Sequence, residues 1–211
     1  MLPLLLAAGR SLLIQPSCPI CRQPLPPETR SQTLCRPCRQ RLRLCADGLS
    51  GSDPLPWHAL ALYDGPFRNL LLRLKQQPSK DNVNGLIRCL AMTLPQAAAA
   101  VLVPIPSWKR RHGNPLPALI AERLGGRRMD LLQRNRASVG QHHLNRKQRL
   151  TNLKGAFRVR SGVSPTDLFL VDDILTTGGT ALAARDALVA AGHRVAGLIC
   201  LGRTPARRPR R

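Results

Sequence analysis

Apolar and polar positions fall along the chain in blocks that switch between helical and strand periodicity. "WHALALYDGPFRNLLLRLK", residues 57–75, predicts a short strand, a turn at Gly65–Pro66 and a helix ending near Lys75. "VNGLIRCLAMTL" has the spacing of a second helix, broken at Pro95, and "AVLVPIP" that of a buried strand closed by Pro104 and Pro106. "PLPALIAERLG" predicts a helix with Pro115 near its start and Gly125 near its end, and "MDLL" a short strand. The apolar run "LFLV" predicts a strand, "TALAARDALVAAG" a helix stopped at Gly192, and "RVAGLICL" the last strand. Strands alternating with helices predict an α/β fold, a parallel sheet with flanking helices. There is no internal repeat.

The first residues do not follow this pattern. "MLPLLLAAGRSLLIQPSC" is apolar, yet it lacks a basic leading region and a small-residue cleavage pattern, and Arg10 interrupts it. Its uncharged run falls short of the ~20 residues a membrane span needs. We expect a short packed helix and a cytoplasmic protein, whose seven cysteines stay free of structural disulfides. Four of these cysteines form two pairs, Cys18-x-x-Cys21 and Cys35-x-x-Cys38, separated by 13 residues. Two residues between paired thiolates let both reach one ion from a tight turn, and two such turns complete a tetrahedron. The expectation is a small four-cysteine module of zinc-ribbon type holding structural zinc; a redox dithiol competes with it but needs only one pair. Cys45 is a spare ligand candidate, while Cys89 and Cys200 lie in apolar surroundings and read as core. "ADGLSGSDPLP", residues 46–56, reads as a linker. The organisation expected is therefore a helix and four-cysteine module over 1–46, an α/β domain over 57–202 and a basic tail over 203–211.

Charge adds a class of partner. The 33 Lys and Arg against 11 Asp and Glu give a formal net charge of +22 and point to a polyanion such as nucleic acid. Residues 131–166 contain no acid but eight Lys or Arg, and we expect a long, mobile basic loop over "RNRASVGQHHLNRKQRLTNLKG". Candidate nucleic-acid contacts are Lys109, Arg110 and Arg111 beside Trp108, and Arg146, Lys147 and Arg149 in the basic loop. Six aromatic residues supply few stacking platforms for bases. The chain has no GxxxxGK[ST] loop, which argues against an NTP-driven motor.

Against this basic background, "LFLVDDILTTGGT" places Asp172 and Asp173 at the end of an apolar strand. In an open parallel sheet, ligands bind beyond the carboxyl ends of the strands. Thr176, Thr177, Gly178, Gly179 and Thr180 then open a helix, where glycines let successive N–H groups turn toward one anion. Carboxylates repel phosphate but accept hydrogen bonds from sugar hydroxyls or hold a metal that phosphates share. A ribose 5-phosphate satisfies both halves.

This stretch resembles the phosphoribosyl-pyrophosphate signature of type I phosphoribosyltransferases, and the chain is similar to the ComF/GntX family within that group. The likeness extends to the paired CxxC head, "LRLK" at 72–75, "LVPIPSWKRRHGN" at 102–114, "RNRASVGQ" at 134–141 and "RLTNLKGAF" at 149–157. The chain departs from the family pattern at "RHGNP", where Arg-Gly-Phe-Asn-Gln is usual, and at Ser138, where a threonine is usual. The resemblance implies a type I phosphoribosyltransferase-like sheet in which Asp172 and Asp173 hold ribose hydroxyls, with Mg²⁺ on the pyrophosphate. It implies that Thr176–Thr180 cradle the 5′-phosphate, that Pro104, Ile105, Pro106 and Ser107 form the pyrophosphate loop, and that residues 134–149 form a flap. It further implies a role in uptake and handling of single-stranded DNA during transformation, alongside helicase or recombination partners. The alternative it implies is an active phosphoribosyltransferase that moves ribose 5-phosphate to an acceptor the sequence does not define.

Overall fold

The computed structural model describes residues 16–26, 34–94, 100–107, 113–135 and 155–205. The expected N-terminal helix, Trp108 through Arg111, most of the basic loop with Arg146, Lys147 and Arg149, and the last residues of the tail lie outside the described residues.

Helices α1 (Arg36–Arg41), α2 (Gly65–Gln76), α3 (Lys80–Met92), α4 (Leu116–Arg123) and α5 (Gly179–Ala190) flank the sheet. The strands are β1 (Leu49–Gly51), β2 (Trp57–Leu62), β3 (Val101–Pro104), β4 (Arg127–Arg128), β5 (Leu132–Arg134), β6 (Phe157–Val159), β7 (Asp167–Val171), β8 (Ile174–Leu175) and β9 (Arg194–Arg203). In the main sheet the order is β1-β2-β9-β7-β3-β4, with β8 also paired to β9. All of its pairings are parallel except β1 with β2. This is the expected α/β fold.

The reasons these helices form are visible in their sequences. In α2, Pro66 occupies the first turn, where a missing N–H does no harm, and Phe67, Leu70, Leu71 and Leu74 make one buried stripe. The Ser79 side chain caps α3 by accepting the Asn82 N–H at 3.5 Å, and Asp81 adds a favourable charge to its first turn. In α5 the small buried residues Ala181 and Ala184 bring the helix close to the sheet, and Leu188 fills the far end. The two faces of the sheet then carry separate cores. One joins Leu60, Leu102, Val171 and Ile199 to α2, α3 and α4; the other joins Val103, Leu170 and Leu198 to α5 and Phe157. Cys18, Leu25, Leu34, Cys38 and Leu42 belong to the first core, so the cysteine-bearing segment packs on the α2–α3 face.

Three local expectations are revised. The segment read as a linker contains β1, which pairs antiparallel with β2. The basic loop does not begin at Arg134: that residue ends β5, which pairs antiparallel with β6 through Arg134 opposite Phe157. The last strand runs on to Arg203, the residue at which the tail was expected to begin. In each case a short segment with no periodicity of its own is recruited by a neighbouring strand that supplies the missing hydrogen bonds.

Candidate functional site

The carboxyl ends of β3 and β7 carry the candidate site. They are neighbours in register, Pro104 opposite Val171, and the Ile105 N–H donates to the Val171 carbonyl at 2.9 Å. The sheet thus brings the stretch Pro104, Ile105, Pro106 and Ser107 beside Asp172 and Asp173, which follow β7 directly.

The two acids differ in surroundings. Asp173 is buried, at 5% exposure, and its Oδ2 lies 2.6 Å from Lys75 Nζ, in the last turn of α2. Its carbonyl accepts the N–H groups of Leu201 and Gly202, at 3.1 and 3.0 Å. Asp172 is half-buried; its Oδ1 accepts the Asp173 N–H at 2.8 Å and its own N–H donates to the Ile199 carbonyl at 3.0 Å. Desolvation and then the adjacent Asp173 charge push the Asp172 carboxyl well above the usual carboxylate range, with Lys75 pulling the other way. On the opposite side, Arg134 donates from Nε to the Pro106 carbonyl at 3.1 Å and lies over the Phe157 ring, 4.9 Å from its centre. Burial lowers the Arg134 pKa, while the charge of Asp172 raises it, which places both groups in one electrostatic field.

Downstream, Thr176 and Thr177 are exposed, Gly178 and Gly179 buried and Thr180 half-buried. Gly178 has φ +80°, in the left-handed region that glycine enters without strain, and it starts α5. A Cβ there would also collide with the Pro54 ring, coming within 3.0 Å of its Cδ. Arg203 Nη1 donates to the carbonyls of Leu175, at 3.1 Å, and Thr176. The C=O and N–H of a trans peptide point in opposite directions, so fixing these carbonyls aims the N–H groups of Thr176 and Thr177 the other way. The Arg203 guanidinium also lies over the Trp57 ring, 5.3 Å from its centre, and Trp57 Nε1 donates to the Asp53 carbonyl at 3.0 Å. Loop, linker and the end of β9 are therefore tied together. Chemically, the arrangement offers carboxylate acceptors, backbone donors at a helix start, and flanking cations.

A cavity of about 940 Å³ lies elsewhere, toward the N-terminal ends of the strands, between Trp57, His58, Leu94 and Phe169. Neither aspartate lines it.

The paired cysteines form a second centre. The Sγ atoms of Cys18, Cys21, Cys35 and Cys38 lie within 4.8 Å of one another, and Cys21 and Cys35 are 3.6 Å apart. Tetrahedral zinc with ~2.3 Å bonds to sulfur sets its ligands ~3.8 Å apart, so this donor set fits one zinc ion. All four are free thiols. The Cys35 N–H donates to Cys18 Sγ at 3.5 Å. Although burial opposes it, backbone donors at Cys35, Cys21 and Ile20 bring the Cys18 thiol down to about 6, whereas burial and the neighbouring sulfurs push Cys38 up, and burial pushes Cys35 up, so without a metal only one of the three is favoured as thiolate. Cys45 is not part of this cluster, whereas Cys89 and Cys200 are buried, as expected. Among the described residues no helix is long and apolar enough to cross a membrane.

Sequence reasoning did not assign Lys75, Arg134 or Arg203 to the site. Lys75 stood out only as part of "LRLK", Arg134 as the start of a loop, and Arg203 as the start of a tail.

No family model matches the chain. Adenine phosphoribosyltransferase from Leishmania tarentolae shares 21% identity over 59% of each chain, with a TM-score of 0.37. Orotate phosphoribosyltransferase from Aeropyrum pernix shares 17% over 76% of each, with a TM-score of 0.35. Among curated proteins, DNA utilization protein YhgH of Escherichia coli K12 is 28% identical over 214 residues, covering 89% of this chain and 84% of its own. DNA utilization protein YhgH of Salmonella typhimurium is 30% identical over 221 residues, covering 89% of this chain and 96% of its own. On that coverage and identity, the chain belongs to the family of DNA utilization protein YhgH.

Proposed function

We propose that this protein binds phosphoribosyl pyrophosphate, or a related ribose 5-phosphate, and serves in the handling of single-stranded DNA during its uptake or use. The observation that carries the ligand half is the convergence of the acidic pair, the glycine-opened start of α5 and the Pro104–Ser107 stretch at the carboxyl ends of β3 and β7. Asp172 and Asp173 supply acceptors for ribose hydroxyls, Thr176 to Thr180 donors for the 5′-phosphate, and the loop after β3 faces the pyrophosphate. Mg²⁺ accompanies the pyrophosphate and offsets its charge. Zinc on Cys18, Cys21, Cys35 and Cys38 is structural, since all four positions are taken by protein sulfur and none is left open for substrate.

The DNA half rests on the YhgH relatives and on a formal net charge of +22. Lys109, Arg110, Arg111, Arg146, Lys147 and Arg149 are the proposed phosphate contacts. Transfer of the ribosyl group to an acceptor is not needed for this reading.

Calorimetric titration of phosphoribosyl pyrophosphate with Mg²⁺ tests the ligand half. Saturable binding by the native chain, lost in Asp172→Asn/Asp173→Asn, is the expected result; heats no different from dilution would end it. For DNA, affinity for a labelled oligonucleotide should fall steeply with added salt, and a flat dependence would remove the electrostatic argument.

A further inference from the structure

Lys75 makes the two aspartates unequal. We infer that it is a positioning residue: it takes Asp173 out of ligand contact and leaves Asp172 as the one carboxylate presented to the ribose hydroxyls. This rests on the ribose-phosphate reading above and deepens it, narrowing the hydroxyl acceptor from the acidic pair to Asp172 alone.

The two acids differ in burial and in partners. Asp173 is buried, its Oδ2 is engaged by Lys75 Nζ at 2.6 Å, and its carbonyl is fixed on the N–H groups of Leu201 and Gly202. A buried carboxylate without a partner is expensive, so a ligand reaching Asp173 would have to break this ion pair and repay its loss. Asp172 is the more open of the two, and its Oδ1 accepts the Asp173 N–H. A neutral sugar hydroxyl can meet it at no such cost.

Electrostatics favours the same division. Two adjacent carboxylates in one ligand pocket would repel a polyanion. Lys75 cancels one of the charges from the α2 side. The pocket then keeps one hydroxyl acceptor without presenting a doubly negative wall to phosphate.

The test compares native protein with Asp172→Asn, Asp173→Asn, Lys75→Met and the double variant Lys75→Met/Asp173→Asn, in full-length chains. Affinities for phosphoribosyl pyrophosphate and for pyrophosphate alone, both with Mg²⁺, are measured beside thermal midpoints. Asp172→Asn should weaken phosphoribosyl pyrophosphate roughly 10- to 100-fold while leaving pyrophosphate nearly unchanged. A structural role for Asp172 would move both together. Lys75→Met and Asp173→Asn should each lower the midpoint and weaken binding. Their combination should recover the midpoint and bring affinity to within about threefold of native, the mark of a coupled pair. A double variant that binds as poorly as Asp172→Asn would overturn the inference, because Asp173 would then touch the ligand. A Lys75→Met variant identical to native in midpoint and affinity would overturn it as well. Failure of the native chain to bind either compound would instead remove the ribose-phosphate reading. The midpoints would still decide the pairing: non-additive single effects support it, additive ones overturn it.

Discussion

Cys18 and Cys21 sit on a tight turn and Cys35 and Cys38 at the start of the short helix α1, whereas Asp172, Asp173 and Gly178 hang from the end of a parallel sheet. In the first region the geometry is local: each pair is set by two intervening residues, and the four sulfurs converge closely enough for one ion to link the pairs. In the second it is topological, because β3 and β7, more than 60 residues apart in sequence, must lie side by side before a site exists. A local site depends on its metal; a topological one depends on packing.

That contrast can be broken or sharpened by experiment. The largest effect should come from metal removal. Chelation, or Cys38→Ser, should cost several kcal/mol, since zinc binding in such modules is largely folding free energy. Scanning calorimetry with and without chelator, paired with metal analysis, checks this; an unchanged thermogram with no zinc found would sink the metal centre. Chelation should leave the β3–β7 end of the sheet folded, and hydrogen exchange at Ile105 and Asp172 would show it.

Next comes the glycine at the start of α5. Gly178→Ala combines positive φ with a collision against Pro54, and we expect a loss of about 1–3 kcal/mol of stability. Denaturant midpoints measure it, and a neutral result would mean that the linker does not pack on this loop.

A smaller effect of opposite sign is expected at Asp172. Its carboxyl is held above its unfolded value, so the folded chain binds that proton more tightly, and stability tied to this group falls as pH rises through the unfolded value toward the folded one. Asp172→Asn should therefore raise the thermal midpoint at neutral pH while impairing ligand binding. The gain should shrink on acidification toward the unfolded carboxylate range. A variant less stable than native at pH 7 would contradict the assignment. Smallest of all is Arg194, whose exposed ion pair with Asp167 bridges the entrances of β9 and β7. Arg194→Ala should leave the midpoint unchanged within error, since exposed pairs are screened by water and salt.

How much was legible in the sequence follows the same division. The cysteine centre could be read because its spacing is short and its chemistry lies in the residue type. The turn after β7 was also legible, since acids and glycines at a strand end are rare enough to stand out. What could not be read was anything settled across the sheet. "LRLK" looks like the end of an amphipathic helix, and nothing in it says that Lys75 reaches a carboxylate nearly 100 residues on. Arg134 lies in an acid-free stretch and so looked like loop; its pairing opposite Phe157 makes it a strand residue, whose Nε reaches the Pro106 carbonyl. β1 and β8 are too short for any periodicity to show.

The Trp57 ring lies under Arg203, the same guanidinium that holds the carbonyls of Leu175 and Thr176. An indole stacked on a cation is sensitive to that cation's movement, so the loop that opens α5 comes with an optical reporter already built in. The chain has only two tryptophans, and Trp108→Phe leaves Trp57 as the sole emitter. Light from one ring would then report any shift of this loop when an anion is added, with no label attached.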